Sequence, residues 1–404
     1  MPEIKYNSDS SLEVVFKVQE TCNINCSYCY MYNLGNDAYK VVPVQQASYE
    51  TWLDVAKFIA KEFKRRSPSY VRLVMHGGEP MLVKAGVMEK NLSGFWAFLE
   101  DQLETSQLDL IQLSMQTNAM LVTDDWIALI KRWRIGVGFS IDGPKNINDE
   151  YRLDKRGNGT FDRVVSGYRK MCEGGIPFLG ALCVINPLAD GAIVYKFLAH
   201  ELKLKGFNFL LPFMNWDNYD GEVVDGVGQF LCAAFREWAH DLSKGNYVDV
   251  RVFREALQTF IHPIEIEDEV LNVSHNVVVV ECDGSIMTEE SLRPTYKGVF
   301  SSFNIRDSGL EKILDSPQFL EVDTDKYTIA QECSGCGLLK SCKSGQTLGR
   351  VGMRYSSVSN EMRKSVYCEA FVQLFVEVAA LLNANKITLS SFDFGQQERM
   401  ETLG

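Results

Sequence analysis

No uninterrupted apolar run in the 404 residues reaches the roughly 20 positions that a membrane-spanning helix requires, and the opening MPEIKYNSDS lacks the apolar core of a secretory signal. A basic surplus is missing too. Lys and Arg number 41 against 53 Asp and Glu, a formal net charge of −12, which argues against a general nucleic-acid binder. There is no low-complexity tract and no internal repeat beyond an alternation of strands and helices. These absences leave a cytosolic globular chain, and 46% hydrophobic composition suffices for a buried core and more than one domain. In a reducing compartment the 11 cysteines are not a disulfide frame, so clustered ones read as metal ligands.

Residues 12 to 213 alternate between short apolar strands and amphipathic helices. LEVVFKVQ, YVRLVM, LDLIQLSM, IGVGFSI, FLGALCVI and FNFLLPF read as six strands. SYETWLDVAKFIAKEFKRR carries a helical stripe of Trp52, Val55, Phe58, Ile59 and Phe63, and a helix from about Phe161 to Glu173 is closed by Gly174 and Gly175. Six such units with near-continuous apolar strands imply a parallel sheet covered by helices, open or barrel-like. A helical bridge is expected over 221–263, and NVVVVECDGSI reads as a strand entering a turn. A cysteine-rich, loop-rich domain follows over 264–370, then an amphipathic helix from Glu369 and a tail, 371–404 together.

Cys22, Cys26 and Cys29 crowd eight positions after the first strand, and a fourth cysteine is absent. A closed structural zinc site would take four ligands. Three thiolates on a four-iron cube leave one iron open to chelate a small molecule. HGGEP, QTN, SIDG and VIN follow strands two to five, the edge at which parallel α/β folds bind ligands. A zinc site completed by His76 or a distant residue is the alternative.

The CxxxCxxC spacing with Tyr28 before the last cysteine resembles the radical S-adenosylmethionine superfamily, whose core is a partial (β/α)6 barrel. The resemblance implies that the open iron binds S-adenosyl-L-methionine and that the reduced cluster cleaves it to a 5'-deoxyadenosyl radical. Gly77, Gly78, Glu79 and Pro80 match the GGE motif, in which glycines allow close backbone approach and Glu79 accepts from the cofactor ammonium. Gln116 and Asn118 match a QTNG segment in which Ala119 replaces glycine. Ser140 and Asp142 are implied near the ribose or substrate, Arg152 at the cofactor carboxylate and Val184 beside the adenine. Taken alone, Arg152 reads rather as a surface arginine near Asp149 and Glu150.

Cys333, Cys336 and Cys342, with Cys368 later, supply four more thiolates. Alone they fit zinc or iron–sulfur. They resemble a SPASM domain, which implies one auxiliary [4Fe–4S] cluster. Cys282 matches the start of a second site, but Gln346 occupies one of its cysteine positions. Cys172, Cys183 and Cys232 are expected in the core.

Together the motifs, over residues 12 to 370, resemble peptide-modifying enzymes of the cyclophane-forming branch. The resemblance implies a ribosomally made precursor peptide with leader and core, and an electron donor such as flavodoxin or ferredoxin. An aromatic ring carbon would be joined to the β-carbon of a residue two positions on. Asp142, Glu281 and Asp283 are candidate bases by location. Ether or thioether crosslinking and oxidation of a sulfatase Cys or Ser are the enzymatic alternatives. A non-catalytic iron–sulfur carrier or a zinc-dependent scaffold is the other.

Overall fold

The structure is a computed structural model describing residues 3–34, 45–176, 179–261, 270–287, 290–295, 300–358 and 362–384. The strands are β1 (Glu3–Gln19), β2 (Val71–Gly77), β3 (Ile111–Thr117), β4 (Gly136–Ser140), β5 (Leu179–Val184), β6 (Gly206–Leu210), β7 (Asp249–Val250), β8 (Val270–Val280), β9 (Ser285–Met287) and β10 (Phe300–Asn304). They form one sheet in the order β10-β9-β8-β1-β2-β3-β4-β5-β6-β7.

Strands β1 to β6 are neighbours in chain order, and every pair among them is parallel. Right-handed crossovers without a reversal of order keep the connecting helices on one face and curl the sheet into a partial barrel. The other face encloses a cavity of about 370 Å³ lined by Ser114, Gln116, Gly138, Leu182 and Asn208. This is an α/β fold built on a parallel sheet.

On the helix side, Leu12, Val14, Phe16 and Val18 of β1 are at most 1% exposed. Phe16 meets Trp52 edge-on at 5.0 Å, and Trp52 meets Phe95 at 6.1 Å, which couples β1 to helices Tyr49–Arg65 and Ala85–Gln102. Ser48 caps the first of these by accepting from Thr51 N at 3.1 Å. The helical stripe expected there is buried in full.

Two long-range pairings have no local sequence signal. β8 lies parallel to β1 on the edge away from β2, with Val14 opposite Val278. Its hairpin partner β9 and then β10 extend the sheet, so the sheet itself runs on past residue 264. β1 also begins at Glu3, because Glu3 to Tyr6 pair with Val270 to Val273. Cys183 and Cys232 are buried as expected, whereas Cys172 is exposed in the last turn of helix Phe161–Glu173. The C-terminal tail beyond 384 lies outside the described residues.

Candidate active site

The loop carrying Cys22, Cys26 and Cys29 is stitched to its neighbours by backbone hydrogen bonds. Gly78 N donates to Gln19 O at 2.7 Å and Glu79 N to Thr21 O at 3.0 Å. On the other side Asn25 N donates to Leu153 O at 2.8 Å and Ser27 N to Tyr151 O at 3.1 Å. The glycine pair fits against the protein's own backbone. A Cβ on Gly77, whose φ is +136°, would lie 2.0 Å from Gln19 O, and one on Gly78 would lie 2.2 Å from Thr21 O. The close approach they permit is thus to the backbone leading into Cys22.

Cys26 is buried, and Cys22 and Cys29 are half-buried. Burial pushes the Cys22 thiol up to about 12 and raises the other two, with the neighbouring thiols adding to the effect. Backbone N–H groups of Ile24 at Cys22, and of Met31 and Tyr32 at Cys29, favour the thiolates, as does Arg152 at Cys26.

Tyr28 ties this loop to the ends of β4 and β5. Its hydroxyl donates to Asp142 Oδ2 at 2.5 Å and accepts from Arg152 Nη1 at 3.0 Å. Asp142 Oδ1 accepts from Val184 N at 3.0 Å. Asp142 and Arg152 are 3% and 4% exposed. Burial raises the Asp142 carboxyl above its usual range despite Arg152, and both of its oxygens are engaged, an arrangement that holds strands together. Arg152 Nε is buried without a hydrogen-bond partner.

Glu79 is fully buried. Its Oε1 accepts from Met81 N at 2.9 Å and Thr117 Oγ1 at 2.7 Å, and Oε2 accepts from Asn118 N at 2.7 Å. It caps the single turn Pro80–Leu82 and locks the end of β3. Asn118 Nδ2 donates to Asn23 Oδ1 at 2.7 Å, beside Cys22. Ala119 holds a left-handed φ of 57°. Gln116 donates to Ser140 Oγ at 2.9 Å inside the barrel.

The other two base candidates lie apart from Asp142. Glu281 is ion-paired with Arg293 and shares a hydrogen bond with Glu20, while exposed Asp283 accepts from Ser285 N at 2.9 Å in the hairpin turn. His76 belongs to a neighbouring polar cluster. Its Nδ1 is 3.0 Å from Lys17 Nζ, and Lys17 is ion-paired with Glu290.

Two cavities meet at the barrel mouth. The inner one, about 260 Å³, is lined by Tyr28, Cys29 and Val184 below and by Ser291, Leu348 and Met353 of the C-terminal region above. The outer one, about 650 Å³, opens past Lys326, Lys343 and Gln346. Glu255, Thr347, Gly349 and Arg350 line both. Glu255, passed over in the sequence, is the one carboxylate lining either cavity among the described residues. Its only sequence signal is its place on the helical bridge, one turn after Arg251.

Cys333, Cys336, Cys342 and Cys368 line one small cavity of about 30 Å³. Cys342 ends the short helix Leu339–Cys342, and Cys368 begins the helix Cys368–Ala384. Between them Lys343, Ser344 and Gly345 run at φ of 49°, 59° and 91°. Cys342 in the right-handed region followed by Lys343 in the left-handed one turns successive N–H groups inward, as anion-holding nests do, and Gly345 N–H favours the Cys342 thiolate. Cys282 is not part of this set. It is 1% exposed, its Sγ donates to Lys17 O at 2.9 Å, and the charges that act on it are carboxylates. Among the described residues no three His, Cys, Asp or Glu side chains converge as they would around one metal ion.

Both cysteine sets fit iron–sulfur clusters, each with N–H groups aimed at sulfur, and the orphaned Arg152 Nε beside the first fits an anionic group. Residues 16–191 match the family model described as the Radical SAM superfamily. The chain is similar to a cysteine-type anaerobic sulfatase-maturating enzyme of Clostridium perfringens, 25% identical over 88% of this chain and 92% of the relative. A serine-type enzyme of Bacteroides thetaiotaomicron is 24% identical over 92% and 90%. Two solved structures share the fold. One is native anSMEcpe with bound AdoMet, at TM-score 0.77 and 23% identity over 93% of this chain and 100% of that one. The other is Streptococcus suis SuiB, at 0.60 and 15% over 89% and 77%. The cysteine triad at the mouth of the barrel therefore lies in the stretch that matches the Radical SAM superfamily, and the chain is an enzyme with S-adenosyl-L-methionine and [4Fe–4S] clusters as its cofactors.

Proposed function

We propose that this enzyme modifies a ribosomally made precursor peptide, joining an aromatic ring carbon to the β-carbon of a nearby residue. One observation carries the crosslinking reading: four cysteines share one auxiliary cavity, and Cys282 is sequestered beneath β1 with no thiol beside it. Peptide modification is the coarser statement, in keeping with relatives named as sulfatase-maturating enzymes.

Bound S-adenosyl-L-methionine on the reduced cluster supplies a 5'-deoxyadenosyl radical. Cys22, Cys26 and Cys29 would hold that cluster, and Arg152, Asn118 and the Val184 backbone are available to the nucleotide. The inner cavity lies between these groups and the segment Thr347–Arg350. Crosslinking removes two hydrogens from the peptide, one as an atom and one as a proton with an electron, and the auxiliary cluster that Cys333, Cys336, Cys342 and Cys368 would hold supplies the acceptor for that electron. Glu255 is the carboxylate positioned to take the proton. It lines the cavity, and burial raises its pKa.

Formylglycine-type oxidation of a Cys or Ser is the second reading, favoured by the names of the relatives. Coexpression with the small peptide encoded beside the gene, followed by tandem mass spectrometry, separates the two. Crosslinking predicts a loss of two hydrogens per bond and no backbone fragments between the joined residues. An aldehyde-reactive product from Cys or Ser would replace the proposal with the second reading. Glu255→Gln is expected to keep cofactor cleavage and stop crosslinking.

A further inference from the structure

Lys17 is the one buried lysine among the described residues, with a relative exposure of 0%. It stands opposite His76 in the pairing of β1 with β2. Its ammonium is paired with Glu290, and Nζ also donates to His76 Nδ1 at 3.0 Å. Glu290 turns its other oxygen to Tyr30, whose hydroxyl donates to Oε2 at 3.1 Å. Tyr30 directly follows Cys29, so one carboxylate links Lys17 to the residue beside the last thiol of the triad. Burial would raise the Glu290 carboxyl, yet Lys17 holds it well below its usual range, so both partners carry charge. Burial likewise raises the Cys29 thiol, and among charged groups Lys17, ahead of Arg152, works against that rise. Replacing a buried ion pair by packed apolar residues is often neutral or stabilising, so stability alone does not account for a charged pair at this place.

We propose that Lys17 sets the reduction potential of the cluster that Cys22, Cys26 and Cys29 would hold, its buried ammonium raising that potential and Glu290 trimming the effect. The step concerned is the transfer of one electron from a carrier such as flavodoxin or ferredoxin to the oxidised cluster. No bond forms or breaks in it and no proton is taken up. Reduction adds a negative charge to a cluster already bearing three thiolates. A cation buried close by, away from water, stabilises the reduced form more than the oxidised one. Lys17 is thus a tuning residue that acts through its charge and touches neither the peptide nor the nucleotide. The inference rests on the iron–sulfur assignment of the triad and not on the reaction performed on the peptide.

The test is a redox titration of anaerobically reconstituted holoenzyme, followed by electron paramagnetic resonance without peptide. The signal that changes when S-adenosyl-L-methionine is added identifies the triad cluster. Lys17→Met is expected to make reduction at least ~10-fold less favourable, a fall of about 59 mV in midpoint potential for one electron. Glu290→Gln, which leaves the ammonium uncompensated, is expected to move the midpoint upward, and Lys17→Arg to stay near wild type. The auxiliary signal should keep its midpoint in every variant. Opposite shifts in the two single variants are the mark of charge, since damaged packing would not reverse sign with it. If Lys17→Met fails to retain iron, the double variant Lys17→Met, Glu290→Gln removes both charges together, and its midpoint is expected below wild type while that of Glu290→Gln lies above. An unchanged midpoint in iron-replete Lys17→Met, shifts of one sign in both single variants, or a double variant no lower than wild type overturns the inference. Because no peptide is present, failure of the crosslinking reading would leave each of these results as it stands.

Discussion

The Tyr28 hydroxyl donates to Asp142 at 2.5 Å, joining the residue before the last cysteine of the triad to the end of β4. Asp142 passes the constraint on, since its other oxygen holds Val184 N. The cysteine loop, β4 and β5 are thereby fixed to one another through a single buried carboxylate.

Removing that hydroxyl should therefore damage the site without emptying it. Tyr28→Phe is expected to cost about 2 kcal/mol, the worth of a hydrogen bond to a buried charged group. The melting temperature should fall, and the rate of 5'-deoxyadenosine release should drop by more than ~10-fold, the kinetic equivalent of about 1.4 kcal/mol. Iron per chain should stay at the wild-type level, because all the thiols remain. Loss of iron in the variant would instead assign Tyr28 to cluster retention.

Gly78→Ala drives a methyl to within 2.2 Å of Thr21 O and 2.6 Å of the Tyr32 hydroxyl. Overpacking of this kind costs about 1–3 kcal/mol. The strain falls on the backbone entering Cys22, so iron content should drop along with stability. Thermal unfolding and iron assay on one preparation check both. A variant as stable and iron-replete as wild type would show that the loop yields freely.

The six strands, the helical stripes and both cysteine sets were legible because each is a local pattern. The partners of β1 were not. Val14 and Val278 meet across some 260 residues, and parallel pairing leaves no mark in either segment. Motif residues were found without their protein neighbours. Glu79 accepts from Met81, Thr117 and Asn118, and the glycines before it fit against backbone, because a motif records which residues are needed and not what they touch. Glu255 and Arg350 stayed hidden because neither stands in a motif and only the tertiary fold brings them to one cavity.

His76 gives the chain an acid-sensitive contact. Burial and Lys17 lower its pKa from the usual 6.5 to about 3. Below pH 6.5 the unfolded chain takes up a proton that the folded chain refuses until near pH 3, so stability falls as pH falls through that window. The melting temperature should drop between pH 6.5 and 5, and His76→Asn should flatten the drop. An unchanged slope in the variant would mean that other groups cause it.

The auxiliary set should be separable from the triad. Cys342→Ser is expected to reduce iron from about eight to about four per chain, as removal of one [4Fe–4S] cluster would. Cofactor cleavage should persist and crosslinking should stop. Cys282→Ser should keep the full iron count, since its thiol bonds to Lys17 O rather than facing other thiols. Iron loss in Cys282→Ser would mean that a second auxiliary site had been overlooked.

The most direct measurement of the proposed reaction follows one hydrogen. A precursor peptide deuterated at the β-carbon two positions after its aromatic residue is incubated with reduced enzyme and S-adenosyl-L-methionine, and both products are weighed. The crosslinking account predicts one deuterium in 5'-deoxyadenosine and its absence from the joined β-carbon. Deuterium retained at that carbon in the modified peptide, with the label-free 5'-deoxyadenosine drawn from a Cys or Ser elsewhere, would contradict it.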